Sequence, residues 1–122
     1  MNAEIKAQWL AALRSGEYIQ GRGALRKGHQ MCCLGVLCNL AAKANIGHWQ
    51  PHNDRADCYE FVEPDSRNSE YPPFAVVEWA GLTYDNPELT DEGRIGDYND
   101  GTSGIDHPHT FTELADLIEK HL

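Results

Sequence analysis

The sequence predicts a mainly α protein of the α+β class, with a compact core of three to four helices, a minor β-hairpin and two long acidic loops. Three observations support this prediction. Apolar residues recur at helical spacing in four segments, residues that favour helix caps stand at the ends of these segments, and the intervening stretches are rich in turn residues. A chain of 122 residues suits a single domain, 1–122, with one buried core.

The first and last helices have the clearest sequence signals. Near the start of the chain, Asn2 is a suitable N-cap and Gly16 a suitable stop, with an apolar stripe between them. At the other end, Thr110 and Glu113 form a T-x-x-E capping box ahead of an apolar face. The residues expected to meet in the core are Trp9, Leu13, Leu37, Leu40, Phe111, Leu114 and Ile118.

Two further helices are predicted in the middle of the chain. One begins at Cys32 or Cys33 and is apolar nearly all round, which is typical of a buried central helix. The other is PPFAVVEWAGL, residues 72–82, where Pro73 fits the first turn and Gly81 fits the left-handed position after the last turn. Because this helix is short, it needs tertiary packing to persist.

The charge is unevenly distributed along the chain. The net charge is -9, made up of +4 in residues 1–53, -11 in residues 54–106 and -2 in residues 107–122. Most of the acidic residues fall in the two predicted loops, 48–71 and 83–109, the first of which has a candidate short strand at 58–62. A chain this acidic disfavours direct binding to nucleic acid.

The sequence also predicts the compartment. It contains no apolar run long enough to span a membrane and no apolar segment typical of a signal peptide. We therefore expect a cytoplasmic protein whose four cysteines are reduced thiols.

The stretch HQMCCLGVLC contains three of those cysteines and allows three interpretations. As metal ligands, Cys32, Cys33 and Cys38 would diverge around a helix. As a nucleophile, Cys32 or Cys33 would gain acidity from its place at a helix N-terminus, which keeps a cysteine-dependent hydrolase as an alternative function. As core residues they would pack as small hydrophobes, and their position on the apolar faces of the helix favours this interpretation.

Other residues are alternative ligands for a metal ion or a phosphate. The imidazole and thiol candidates for a metal are His48, His52, Cys58, His107 and His109. The glycine-rich segment QGRGALRKG, residues 20–28, contains Arg22, Arg26 and Lys27, which together with backbone amides could bind a phosphate-bearing nucleotide. A solvated turn is the favoured interpretation of this segment, and no cofactor or metal is predicted.

Aromatic side chains are interleaved with the acids of the two loops. Aromatic residues at a surface are typical of protein-binding patches. The candidate partner-binding residues are Trp79, Tyr84, Asp97, Tyr98 and Asp100.

Five stretches, ALRSGEY, GALR, CCLGVLC, VVEWAGL and TELADLIE, occur in this order over nearly the whole chain. In this pattern the chain resembles a family of small proteins encoded by tailed bacteriophages and prophages. The resemblance implies a phage or prophage origin and no particular activity. We therefore expect a non-enzymatic accessory protein that binds and modulates a host protein, with counter-defence as one such role. The sequence leaves the oligomeric state open, a homodimer being one alternative.

Overall fold

The computed structural model describes all 122 residues and mixes helices with strands. About 39% of the residues are helical and 20% lie in strands. The helices are α1 (Ala3–Arg14), α2 (Cys33–Lys43), α3 (Phe74–Ala80), α4 (Ile95–Asp100) and α5 (Phe111–His121). The strands are β1 (Ile19–Gln20), β2 (Arg26–Lys27), β3 (Gln30–Met31), β4 (His48–Pro51), β5 (Cys58–Glu63), β6 (Ser66–Asn68), β7 (Glu88–Thr90) and β8 (Gly93–Arg94). These proportions describe a mixed α+β protein, whereas the predicted mainly α weighting is not confirmed.

Helices α1 and α5 begin at the caps that the sequence indicates. The Asn2 Oδ1 accepts hydrogen bonds from the backbone N–H groups of Glu4 and Ile5 at 2.9 and 3.0 Å. The Thr110 hydroxyl accepts from the N–H of Glu113, whose carboxylate accepts from the N–H of Thr110 in return. These bonds satisfy donors that the first turn of a helix leaves without partners.

Helix α2 lies at the centre of the hydrophobic core. Six consecutive residues, Cys33 to Cys38, are buried, and Ala41 continues the buried surface. Leu40 is only half-buried at the edge of the core, where the sequence prediction had placed it inside. Leu40 lies near the C-terminal end of α2, where Asn39 is also partly exposed. The core therefore covers this turn of the helix less completely than the turns before it.

Helix α3 stops as the sequence predicts but starts one position later. Gly81 adopts a left-handed conformation with φ 70°, and the Leu82 N–H donates to the Val77 carbonyl at 3.0 Å. This is a Schellman stop, whose left-handed residue glycine can provide without a steric penalty. Pro73 is the N-cap, just outside the first turn.

Strands β7 and β8 form a separate antiparallel pair, and the other six strands form one sheet, which contains the β2–β3 hairpin and is larger than the minor hairpin predicted. Its order is β1-β3-β2-β5-β4, with β6 also paired to β5, and only the β1–β3 pair is parallel. The central β5 confirms the strand expected at 58–62 and buries Phe61 between its neighbours. The segments predicted as long acidic loops therefore contain β4, β5 and β6 in one case and β7, β8 and α4 in the other. Strands of two to four residues are too short to show alternation in a sequence.

The helices pack on one another around a core of 24 buried residues. Helix α1 lies against both α2 and α5. The Trp9 indole N–H donates to the Cys33 carbonyl at 2.9 Å, and Arg14 of α1 forms ion pairs with Asp116 and Glu119 of α5. None of the helices has the length and apolar character needed to cross a membrane.

Candidate functional site

A polar cleft opens at the N-terminal end of α2, where three segments singled out in the sequence meet. These segments are the glycine-rich turn, the cysteine pair and helix α4. The cleft has a volume of about 100 Å³. Its lining residues are Gly23, Ala24, Cys32, Cys33, Leu34, Glu70, Tyr71, Asn86, Gly96, Asp97, Asn99, Asp100 and Thr102.

Asn99 organises the floor of this cleft and has no solvent exposure. Its Oδ1 accepts from the Gln20 amide at 2.9 Å and from the Cys33 N–H at 3.2 Å. Its Nδ2 donates to the Gly21 carbonyl at 3.0 Å and to the Asp100 Oδ1 at 2.8 Å. One side chain thus joins β1, the glycine-rich turn, α2 and α4, a connection that sequence analysis missed because Asn99 stood in a segment predicted as an acidic loop.

The cysteines of the cleft have a structural role. The Cys32 Sγ accepts from the Gly35 N–H at 3.4 Å as the N-cap of α2. Burial raises the pKa of Cys32 to about 11, and burial raises the pKa of Cys33 and of Cys38 well above the usual thiol value. Because the thiolate is the reactive form, these neutral thiols are poor nucleophiles at pH 7. The burial of these cysteines agrees with the interpretation of HQMCCLGVLC as a core segment and argues against the cysteine-dependent hydrolase.

The three basic residues of the glycine-rich segment do not converge on one point. The Arg22 Nε donates to the Asn99 carbonyl at 3.1 Å, whereas the Arg26 guanidinium lies 4.0 Å over the Tyr59 ring. Lys27 follows Arg26 in β2, so its side chain points to the opposite face of the sheet.

One amide of that turn already has an anionic partner within the protein. The Gly23 N–H, which a phosphate would need, donates to the Asp100 carboxylate at 3.2 Å. A phosphate would therefore have to displace a carboxylate fixed by Asn99, and the geometry offers little support for the nucleotide-binding alternative.

Several acids surround the mouth of the cleft. Burial raises the pKa of Tyr71, and the nearby carboxylates of Glu70, Asp85, Asp97 and Asp100 raise it further. Asp97 also accepts from the Arg94 N–H and the Thr102 hydroxyl, so it shapes the two ends of α4. The region around Tyr71 is therefore strongly negative.

The five candidate partner-binding residues have different environments. Tyr84 is exposed, at 57%, whereas Trp79 is half-buried against the core. Tyr98 is buried, contrary to the prediction, and its hydroxyl lies 2.6 Å from the Thr90 hydroxyl. Asp97 and Asp100 are partly buried and engaged in the hydrogen bonds described above. Tyr84 is the one of the five with a freely accessible side chain.

Tyr84 forms an open apolar groove with a residue that sequence analysis missed. Phe74, at 71% the most exposed large hydrophobic side chain, lines this groove together with Pro72, Val77 and Leu82. The groove has a volume of about 470 Å³, and Glu78 and Asp85 form part of its lining. Phe74 is the first residue of α3 and stands outside the buried stripe of Val76, Val77 and Ala80, a signal that the sequence already contained.

The metal candidates fall into two groups. His48 and His52 are four residues apart at strand β4, a separation of about 13 Å for an extended chain, so they cannot share one ion. The His52 Nδ1 instead accepts from the N–H groups of Asp54 and Arg55, and Cys58 is buried in β5. His107 and His109, in contrast, lie together beside Glu113, with one ligand atom of each within 4.8 Å of the others.

Comparison with known proteins places the chain in a family without adding an activity. No curated protein and no solved structure matches it. The model of one family, described as a domain of unknown function, matches residues 1–122. Because that match spans the entire chain, the protein belongs to the DUF8296 family.

Proposed function

We propose that this protein is a non-enzymatic phage or prophage accessory protein that binds a basic surface of a host protein through the groove of Phe74 and Tyr84. The resemblance of CCLGVLC, VVEWAGL and TELADLIE to small phage proteins supports the origin. The observation that carries the binding proposal is a pair of exposed aromatic side chains on one acid-lined groove.

The aromatic pair has the character of an interface anchor. Large aromatic side chains dominate the energetics of protein interfaces, because they bury much apolar area with little loss of rotamer freedom. Phe74 and Tyr84 instead leave most of their surface in water, which is unfavourable for an isolated chain. A partner that covers the groove would recover this apolar burial.

The protein holds both aromatic residues in place. The buried Glu63 accepts from the Ala75 N–H at 2.8 Å and so fixes the start of α3, where Phe74 is located. The Arg94 guanidinium lies 5.7 Å from the centre of the Tyr84 ring and donates to the Asn86 carbonyl at 2.9 Å. A preorganised surface loses less conformational freedom on binding, which favours affinity.

Charge determines the chemistry of the partner. Glu78 and Asp85 line the groove, and the acids around Tyr71 continue the negative potential from Asp85 towards the cleft. Complementary potentials accelerate association and exclude partners of the same sign. The expected partner therefore presents an apolar side chain flanked by lysine or arginine.

The experiment compares the wild-type chain with two variants on a host partner. Affinity capture from bacterial lysate identifies proteins held by the wild type, and calorimetry with the purified partner gives Kd. We expect Phe74→Ser to weaken binding by at least ~10-fold, as for a residue at an interface hot spot. Ile19→Ser is the matched control, because Ile19 is 61% exposed but lies in β1 and does not line the groove.

Charge reversal tests the second half of the proposal. The double variant Glu78→Lys, Asp85→Lys should bind the partner more weakly than the wild type does. The wild-type affinity should also fall as salt is added. Unchanged Kd for Phe74→Ser, or an affinity independent of salt, would contradict the proposal. Self-association of the wild type that Phe74→Ser abolishes would also contradict it, because the groove would then bind a second copy.

A further inference from the structure

We infer that His107, His109 and Glu113 form a binding site for one divalent transition-metal ion at the start of α5. The imidazole rings of His107 and His109 are stacked, with centroids 4.4 Å apart and planes within 11° of parallel. The His107 Nε2 lies 3.7 Å from the Glu113 Oε2. One ligand atom from each of two imidazoles and a carboxylate thus lies within 4.8 Å of the others, on residues that the proposed protein-binding groove does not use.

The tautomer of His109 suits a metal ligand. Its Nδ1 lies 3.0 Å from the His107 carbonyl oxygen, which can only accept, so Nδ1 carries the proton of this hydrogen bond. The neutral ring then presents the lone pair of Nε2. Ligating histidines usually donate their second ring N–H to a carbonyl or carboxylate in this way. The Tyr98 ring packs against His109 in a T-shaped arrangement, with ring centroids 5.1 Å apart, and further restricts the orientation of His109.

Glu113 supplies a charged ligand atom without giving up its role as a cap. Its Oε1 accepts from the Thr110 N–H at 3.0 Å, and Oε2 faces His107. One oxygen therefore stabilises the helix while the other is available to an ion.

The donor set selects the class of metal. Imidazole nitrogen with one carboxylate suits Zn²⁺, Co²⁺ or Ni²⁺, whereas Mg²⁺ and Ca²⁺ prefer oxygen ligands. Tetrahedral zinc needs neighbouring ligand atoms about 3.3 Å apart, as follows from bonds of about 2.0 Å. Because an imidazole binds a metal in the plane of its ring, the His107 ring must rotate out of its stack on His109 to share an ion with it. The side chains of His107 and Glu113 are 60% and 47% exposed, which leaves them free to make this adjustment. Three protein ligands would leave the fourth position to water.

The test titrates the full-length chain with Zn²⁺ alone by calorimetry and counts bound zinc by native mass spectrometry. We expect one Zn²⁺ per chain, and His107→Gln should weaken binding by at least ~10-fold. His109→Gln and Glu113→Gln should weaken it too, and Glu113→Gln retains an oxygen for the helix cap. His29→Gln, an exposed histidine elsewhere, is the matched control and should bind as the wild type does.

Replacing Zn²⁺ with Co²⁺ distinguishes a donor set of nitrogen and oxygen from one that contains thiolate. A tetrahedral site of nitrogen and oxygen gives visible absorption without a sulfur-to-cobalt charge-transfer band. The inference is overturned if no zinc binds, if His107→Gln binds zinc as well as the His29→Gln control, or if the cobalt spectrum contains the thiolate band. The last result would assign the metal to the cysteines.

Discussion

Replacing Asn99 with alanine tests the role of the cleft floor in the stability of the fold. The variant leaves the buried N–H of Cys33 and the carbonyl of Gly21 without a partner. Each unsatisfied buried group costs about 1–3 kcal/mol. The neighbouring cleft admits water, which limits the cost, so we expect a loss of about 3 kcal/mol in the free energy of unfolding.

Urea unfolding followed by tryptophan fluorescence measures this loss as a lower transition midpoint at an unchanged m-value. A loss of this size would also lower the Tm by about 12 °C for a chain of this length. Asn99→Asp keeps the acceptor oxygen but places a second oxygen against Gly21 and Asp100, so we expect at least as large an effect at neutral pH. Asn53→Ala, at an exposed position, is the control. A loss below about 1 kcal/mol for Asn99→Ala would refute the reasoning.

Three further predictions concern other parts of the core and its helix caps. Gly35→Ala should prevent soluble folding, because a Cβ there would overlap the Leu25 carbonyl; a stable, soluble variant by circular dichroism would contradict this. The urea midpoint should fall as the pH rises above about 9, since burial raises the pKa of Cys32 to about 11 and the unfolded chain loses its thiol protons first. A midpoint equal at pH 8 and pH 10 would argue against that burial. Thr110→Ala should lower the unfolding free energy by about 1 kcal/mol in the same assay, and the exposed Thr112→Ala should have little effect.

The helices could be predicted because local chemistry determines their ends. Asn2 and the Thr110–Glu113 pair satisfy amide donors within three residues, so their effect is readable without knowledge of the fold. The sheet could not be predicted in the same way. The parallel pairing of β1 with β3 joins two-residue strands, and its hydrogen bonds depend on how distant segments meet.

The candidate sites show the same difference between local sequence signals and contacts that depend on the fold. His107 and His109 could be identified from their spacing, whereas Glu113 was recognised only as a helix cap and its second oxygen needed the structure. Tyr98 is aromatic and flanked by acids, as a surface residue would be, yet α4 turns it into the core. Sequence patterns report the composition of a segment, whereas burial depends on which face of that segment the rest of the chain covers.

The packing of α1 against α5 has a consequence for the order of folding. Arg14 and Asp116, which pair across this interface, are 102 residues apart in the chain. During synthesis the ribosome makes α1 long before α5, so the face of α1 that packs on α5 stays uncovered until α5 has been made. Closure of the α1–α5 interface is therefore a late step in folding, and the nascent chain exposes apolar surface until that step.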